Sequence, residues 1–475
     1  MRELHPSIGE MACLTCLSLV QCYRLRKLPD SIGKLRLLLE LNLFNTRIRE
    51  LPDSITVFKR LEKMYLGYTR IRELPNSIGG LESLLDFDLQ CTEITTLPAS
   101  IGYLKRLQRL NMYCSKIREL PNSIGDLNRL EKMDLGHTQI RELPNSIGGL
   151  MSLIDFDLRY TKITSLPASI GYLKRLKHLN MYKSKIRELP NPIGMLENLE
   201  SLAYPGCRNT DITWPPQLSE LSIFGDDPRS LTWPPQLSRL SVFCDDPQSL
   251  PSLPLGLRSF ALHGVKLPIE QLLLSELRHL PELTLIGWGL REIKFEQLEN
   301  LHYLTVDSCK SLVRLSGLSS LRKVENLNII GCSLLIEIQD LGEMESLEKL
   351  LLSDCSFMKT LPDLSKLHKL QSLSIRNCKS LQGLPDLPHS LEALLIINGS
   401  SIKRLPDLSK LHKLKYLYVS HCKSLQGLPD LPNSIIDLQH HACPLLGVPR
   451  DFFEFCRWCR KSNPGQSSRR RTMWG

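Results

Sequence analysis

Apolar side chains recur along this chain with a fixed period. Leu-Pro pairs fall at Leu28-Pro29, Leu51-Pro52, Leu74-Pro75, Leu97-Pro98, Leu120-Pro121, Leu143-Pro144, Leu166-Pro167 and Leu189-Pro190, every step 23 residues. Each unit reads LxxLxLxx(T/S)xIxxLPxxIGxL. In LxL the two apolar residues share one face of a short strand, because side chains alternate with period two. Leu41 and Leu43 therefore point inward, with counterparts Met64/Leu66, Phe87/Leu89, Leu110/Met112, Met133/Leu135, Phe156/Leu158 and Leu179/Met181. Ile71 and Leu74 carry the chain around the core, and Pro75, lacking an N–H, ends strand pairing. Ile78, Leu81 and Leu84 have helical spacing, and the glycines limit that segment to about a turn of helix or 3₁₀. One such unit cannot bury its apolar face alone; stacked neighbours bury it for each other.

The second half uses another unit, LxxLxLxxCxxLxxL, as in VENLNIIGCSLLIEI and LEKLLLSDCSFMKTLPDL. Cys309, Cys332, Cys355 and Cys378 are 23 residues apart, Gly399 follows at 21, Cys422 at 23 and Cys443 at 21. Between the two styles the pattern loosens into a shorter repeat, and WPPQLSELSIF at Trp214 recurs as WPPQLSRLSVF at Trp233. The organisation expected is 23-residue units over 1–204 that begin mid-unit without an N-terminal cap, irregular shorter units over 205–295, Cys-type units of 21–23 residues over 296–449, and a C-terminal cap with a basic tail over 450–475. The fold class expected is an α/β solenoid, a horseshoe with a parallel concave sheet of about 20 strands and a convex side of short helix, 3₁₀ and loop. At ~4.8 Å per strand the sheet would trace about 95 Å, an extent that suits a protein partner better than a metabolite. GGLESLLDFDLQCTEITTLPASIGYLKRL recurs with few changes three units later, and LPDLSKLHKLQSLSIRNCKSLQGLPDLP recurs two units on, at Leu405. Such duplication lengthens a surface without adding chemistry.

The outward strand positions form columns. Lys63, Asp86, Arg109, Lys132, Asp155 and His178 alternate in charge, which supports strand pairing by about 0.2–1 kcal/mol per opposite pair. The next column holds Asn42, Tyr65, Asp88, Asn111, Asp134, Asp157 and Asn180. Exposed Tyr and Arg are typical interface anchors. The candidate partner-binding face is therefore Phe44, Tyr65, Tyr68, Asp88, Arg109, Tyr113, Asp134, Asp157, Arg159, Tyr160, Tyr182 and Lys183, with Arg376, Tyr416, Tyr418 and His421 in similar places further on.

Composition narrows the class. Aromatic residues are only 6% of 475, and no apolar run is long enough to span a membrane. MRELHPSIGEM has no apolar core of a secretory signal. The net charge is +10, with Arg457, Arg460, Lys461, Arg469, Arg470 and Arg471 concentrated near the end. That cluster reads as a solvated tail, and no nucleic-acid partner is expected. The 15 cysteines follow the repeat. Cys22 and the 309–443 series share the slot that Thr46, Thr69, Thr92, Ser115, Thr138, Thr161 and Ser184 fill earlier, which makes them a structural ladder of free thiols suited to a reducing compartment. Cys13-x-x-Cys16 and Cys456-x-x-Cys459 are lone pairs, short of the four ligands of structural zinc. The acidic pairs Asp226-Asp227 and Asp245-Asp246 sit in matching turns before prolines. P-loop, GxSxG, HExxH and kinase signatures are missing. Neither an enzyme, a metal site nor a cofactor is expected.

LPDSIGKLRLLLELNLFNTRIRELP together with LEKLLLSDCSFMKTLPDL resembles the leucine-rich repeats of plant intracellular immune receptors, the class with TIR and nucleotide-binding domains upstream. The resemblance covers about residues 1–449. It implies a cytoplasmic protein, with the nucleus also open to it, that senses a pathogen effector or a guarded host protein, or restrains its own nucleotide-binding domain. RELHPSIGEM is already the return half of a unit, so the chain is expected to be a fragment lacking those domains. Phe452, Phe455 and Trp458 are expected to close the far end. A Ras-associated leucine-rich-repeat scaffold shares LPxSIGxL at the same period and is the alternative. An arm of a bacterial ubiquitin ligase would need a catalytic domain, and only a short segment follows Arg450.

Overall fold

The computed structural model describes residues 2–206, 212–224, 231–244, 250–265, 276–295 and 298–444. The acidic turns at 226–227 and 245–246, the Cys456/Cys459 pair, the expected cap with Phe452, Phe455 and Trp458, and the basic tail lie outside them. The chain forms two compact units, Met1–Val242 with Leu253–Gly256, and Phe243–Ser252 with Leu257–Gly475. Among the described residues the main parallel sheet has 20 strands.

In the first unit each 23-residue repeat supplies a three-residue strand and a five-residue 3₁₀ helix, as in Glu40–Asn42 with Asp53–Val57, and Lys63–Tyr65 with Asn76–Gly80. Neighbouring strands pair in parallel at the repeat offset, Leu41 beside Met64 and Met64 beside Phe87. Both LxL side chains are buried, Leu41 and Leu43 at 0% exposure. Proline occupies the N-cap of the 3₁₀ helices from Asp30–Lys34 to Asn191–Met195 in extended geometry, Pro75 at φ −63 and ψ 147, while His5 caps Pro6–Glu10. A ring fixed near that φ initiates the helix without leaving a donor unpaired.

The glycine in SIG serves the stacking of one 3₁₀ helix on the next. A Cβ on Gly102 would lie 2.5 Å from Ser123 O and 2.8 Å from Ser123 Cβ. Only a hydrogen at that position lets the following repeat approach this closely. The strand ends in a turn whose slot after the sheet is filled by hydroxyls. Thr69, Thr92, Thr138 and Thr161 donate from Oγ1 to the carbonyl three residues back, each at 2.7 Å. The shorter repeat also stacks, since Glu220–Ile223 pairs in parallel with Arg239–Phe243, Glu220 beside Arg239 and Leu221 beside Leu240.

In the second unit the strands lengthen to five residues, as in Tyr303–Asp307, Asn326–Ile330 and Lys349–Ser353. The slot after the strand holds Cys309, Cys332, Cys355, Cys378, Cys422 and Cys443, all buried free thiols. Their sulfurs reach back a full repeat, Cys332 Sγ to Val306 O at 3.7 Å and Cys378 Sγ to Leu352 O at 3.8 Å. Trp288 occupies the same slot one repeat earlier. Its indole donates to Leu262 O at 3.0 Å, and its backbone N–H faces Cys309 Sγ at 3.4 Å. A second, three-stranded sheet of Glu292–Lys294, Arg314–Ser316 and Glu337–Ile338 was not anticipated. It arises where the segment after the Cys slot is extended enough to pair, Ile293 beside Leu315 and Leu315 beside Ile338. Asn398 Nδ2 donates to Asn377 Oδ1 at 2.6 Å. Among the described residues no helix is long and apolar enough to cross a membrane.

Candidate functional site

The candidate site lies on the sheet face opposite the core of the first unit. Alternation puts one residue of every strand pair outward, and the repeat brings equivalent residues into register: Tyr65 beside Asp88, Asp88 beside Asn111, Asp134 beside Asp157. At the end of each strand the outward Asn or Asp caps the turn. Asn42, Asp88, Asn111, Asp134, Asp157 and Asn180 accept through Oδ1 from the backbone N–H two residues on, at 2.8–3.1 Å. The next residue along takes a left-handed backbone, including Tyr68, His137, Tyr160 and Lys183 at φ 52–58. That kink turns its side chain to the edge of the face.

These carboxylates line an open trough of about 490 Å³, with Tyr65, Asp88, Arg109, Asp134, Asp157 and Asn180 among its walls. Burial penalises their charged forms. Desolvation raises Asp88 and Asp134 above the usual carboxylate range, and it pushes Asp157 up to about 6 against the hydrogen bond from Arg159 N–H. Asp157 Oδ2 is 3.1 Å from Arg159 Nε, whereas Asp134 Oδ2 is 4.0 Å from the nearer Nη of the same arginine. Tyr65 donates from its hydroxyl to Asp86 Oδ2 at 3.4 Å, and burial followed by that acidic neighbour pushes it up to about 12. In the first column Lys132 pairs with Asp155 at 2.5 Å and His178 lies 3.7 Å from the same carboxylate.

Along one edge of the trough the aromatic residues join into a ribbon. Tyr113 meets His137 edge-on with ring centres 5.2 Å apart, and His137 stacks on Tyr160 at 4.1 Å and 21°. Tyr160 meets Tyr182 at 5.3 Å, and Tyr182 meets Phe224 at 4.3 Å. Cations lie over the rings, Arg159 Cζ 5.4 Å from Tyr113 and Lys183 Nζ 5.3 and 5.2 Å from Tyr160 and Tyr182. Gly136 makes room for the first of these. A Cβ there would stand 3.1 Å from Tyr113 Cδ2 and 3.2 Å from Arg159 Cγ.

The expected residues thus fall into separate groups. Tyr65, Asp88, Arg109, Asp134 and Asp157 share the trough, while Tyr113, Arg159, Tyr160, Tyr182 and Lys183 share the ribbon. Phe44 and Tyr68 form their own edge-on pair at 5.2 Å. In the second unit Arg376 Nε donates to Ser374 Oγ at 3.2 Å, and Tyr416 is 45% exposed. Tyr418 tilts toward His441 at 6.2 Å, and His421 Nδ1 sits 2.6 Å from Ser420 Oγ. His137 and Phe224 belong to the ribbon and were missed. His137 holds the same repeat position and left-handed backbone as Tyr68 and Tyr160, so that column was the signal that could have found it. Among the described residues no group of His, Cys, Asp and Glu has the arrangement of a metal site.

Residues 61–136 and 132–223 match a family model described as a leucine-rich repeat region. No curated protein matches the chain significantly. Similar solved structures include the TLR13–ssRNA13 complex, 18% identical over 84% of this chain and 63% of that one, with a TM-score of 0.51. The plant peptide hormone receptor RGFR1 in complex with RGF2 is 21% identical over 92% and 80%, with a TM-score of 0.46. A leucine-rich-repeat protein of Leptospira interrogans is 22% identical over 97% of both chains, with a TM-score of 0.44. At such identities the likeness is one of fold. The chain has the leucine-rich-repeat fold, a parallel-sheet solenoid typical of non-enzymatic protein-binding scaffolds.

Proposed function

We propose that this leucine-rich-repeat chain is the recognition module of a plant intracellular immune receptor, carrying no catalysis of its own. Its partner is a pathogen effector or a guarded host protein, and in a full-length receptor also the nucleotide-binding domain that it restrains. It works in the cytoplasm or nucleus. The observation that carries the recognition role is the ring ribbon from Tyr113 to Phe224 beside the carboxylate trough. Rings and cations held rigidly at the surface contribute contact area at low entropic cost, which is the chemistry of interface anchors. The same rings are not part of the buried core, which has other rings of its own, among them Phe58, Phe87, Phe156 and Tyr204. The immune-receptor reading rests on the two repeat styles in one chain, LPxSIGxL and the Cys-type unit, which the Ras-associated scaffolds rarely combine.

The coding sequence upstream of Met1 tests the receptor class. An in-frame P-loop and TIR domain supports it; an intact promoter immediately upstream favours the free-standing scaffold. The recognition role is tested separately, by the double variant Tyr113→Ala with Tyr182→Ala.

A further inference from the structure

The column of turn-capping residues carries more charge than its structural task needs. Asn42, Asn111 and Asn180 accept the backbone N–H two residues on at 3.0–3.1 Å, and Asp88, Asp134 and Asp157 do the same at 2.8–3.0 Å. The amide and the carboxylate cap this turn equally well. Burial penalises only the carboxylate. A repeat that keeps aspartate here retains a cost that asparagine would remove, and no turn requires it. Asp88 spends its second oxygen on Gln90 Nε2 at 2.9 Å, and Asp157 spends its own on Arg159. Among the described residues the ion pair that Asp134 Oδ2 makes is the long one to Arg159 Nη2 at 4.0 Å, with His137 as a further neighbour, and Asp134 lines the trough.

The trough is lined by five aspartates against one arginine, one lysine and one histidine, in a chain whose net charge is +10. Acid is therefore concentrated at this place against the character of the whole molecule. The acid slot and the ribbon are contiguous. A Cβ on Gly136 would touch both Asp134 Oδ1 at 3.0 Å and Tyr113 Cδ2 at 3.1 Å, so nothing larger than hydrogen separates them. The trough is open along the sheet and does not enclose a small molecule, whereas ligand pockets bury most of their occupant's surface. An extended chain crossing the strands advances ~3.3 Å per residue, so side chains one or two residues apart reach from the slot to the rings.

We infer that Asp134 and Asp157 form a seat for a lysine or arginine side chain of an extended partner segment, whose neighbouring apolar side chain lies on the Tyr113–His137–Tyr160 ribbon. This rests on the recognition reading above and names the chemistry of its partner. The arriving cation pairs with Asp134 and shares Asp157 with Arg159, which stays over Tyr113. A nucleic acid is repelled by the same carboxylates.

The test is selection of phage-displayed peptides on the immobilised full chain, followed by titration of synthetic copies of the enriched sequences. Lysine or arginine next to an aromatic or aliphatic residue is the expected consensus. Asp134→Asn with Asp157→Asn is expected to weaken these peptides roughly tenfold or more without lowering the melting temperature, because asparagine keeps the turn cap. Citrulline in place of the peptide's arginine has the same effect, and Phe357→Ala, an exposed ring of the second unit outside the candidate face, has none. Peptides that bind the double asparagine variant as tightly as the unaltered chain, a consensus without basic residues, or no enrichment at all would overturn the proposal. Peptides that ignore the asparagine variant but are lost with Tyr113→Ala and Tyr182→Ala would remove the cation seat and leave the recognition surface standing.

Discussion

Asp157 holds Arg159 twice. Its Oδ1 accepts the Arg159 backbone N–H at 2.9 Å, and its Oδ2 sits 3.1 Å from the Arg159 Nε. The first contact shapes the turn; the second is an ion pair without hydrogen-bond geometry, beside a guanidinium whose Cζ lies 5.4 Å from the Tyr113 ring centre, two repeats back along the sheet. One carboxylate thereby links strand geometry to the outward surface.

That carboxylate makes stability depend on pH. An unfolded Asp titrates near 3.8, and burial in the fold raises Asp157 to about 6. The folded chain therefore holds this proton more tightly. The resulting stabilisation is fully present below about pH 4 and is lost as pH rises through about 6. Asp157→Asn keeps the cap and removes the titration. Urea unfolding is expected to show the variant more stable than the parent at pH 7 by on the order of 1–2 kcal/mol, reduced by the lost Arg159 pair, with the difference shrinking by pH 4. A difference that grows toward acid contradicts this.

The Gly–Ser interlock predicts sharp position dependence among the glycines. Gly102→Ala drives a methyl into Ser123 O and Cβ and is expected to cost about 1–3 kcal/mol. Gly80→Ala meets nothing closer than Thr56 Cγ2 at 3.5 Å and is expected to be neutral. Chemical denaturation of the two single variants separates them; equal effects would remove the interlock as the reason for SIG.

Thiol reactivity follows the ladder. Cys13, Cys16 and Cys114 are exposed, while Cys309, Cys332, Cys355, Cys378, Cys422 and Cys443 are buried. A hydrogen bond with Cys309, with burial next, drives the Cys332 thiol up, and burial pushes Cys422 up to about 11. At those two thiols both effects keep the nucleophilic thiolate scarce; hydrogen bonds with Cys332 and Cys355 instead lower Cys309 and Cys378, so at these two it is burial that shields the sulfur from reagent. Mass-spectrometric mapping after brief iodoacetamide treatment is expected to find the first three labelled and the six ladder cysteines unlabelled until the chain is unfolded. Rapid native labelling of Cys332 or Cys355 would contradict the ladder.

Much of the architecture was legible because it is periodic. Leu41 and Leu43 declared a strand by their spacing, Pro75 declared its end, and the Thr and Cys columns declared one shared slot. What escaped depends on contacts between repeats. Nothing in SIG alone says that Gly102 lies against Ser123. Trp288 stands in the Cys slot without resembling cysteine, and Glu292–Lys294 gives too short a signal to announce a second sheet. At the candidate site the tyrosines were legible as outward residues, but their joining was not. His137 shares its repeat position and left-handed backbone with Tyr160, and the stacking of the two rings at 4.1 Å appears only in the folded chain. The turn-capping role of Asp134 and Asp157 was likewise hidden, since a carboxylate and its acceptor geometry look the same in sequence whether they cap a turn or await a ligand.

The central claim is that the outward face of the first unit recognises a protein and is dispensable for folding. The most direct measurement is the affinity of Tyr113→Ala with Tyr182→Ala for a protein partner selected on the unaltered chain, taken together with its thermal melt. The expected result is binding weakened roughly tenfold or more with melting unchanged. Unchanged binding with unchanged melting would contradict it.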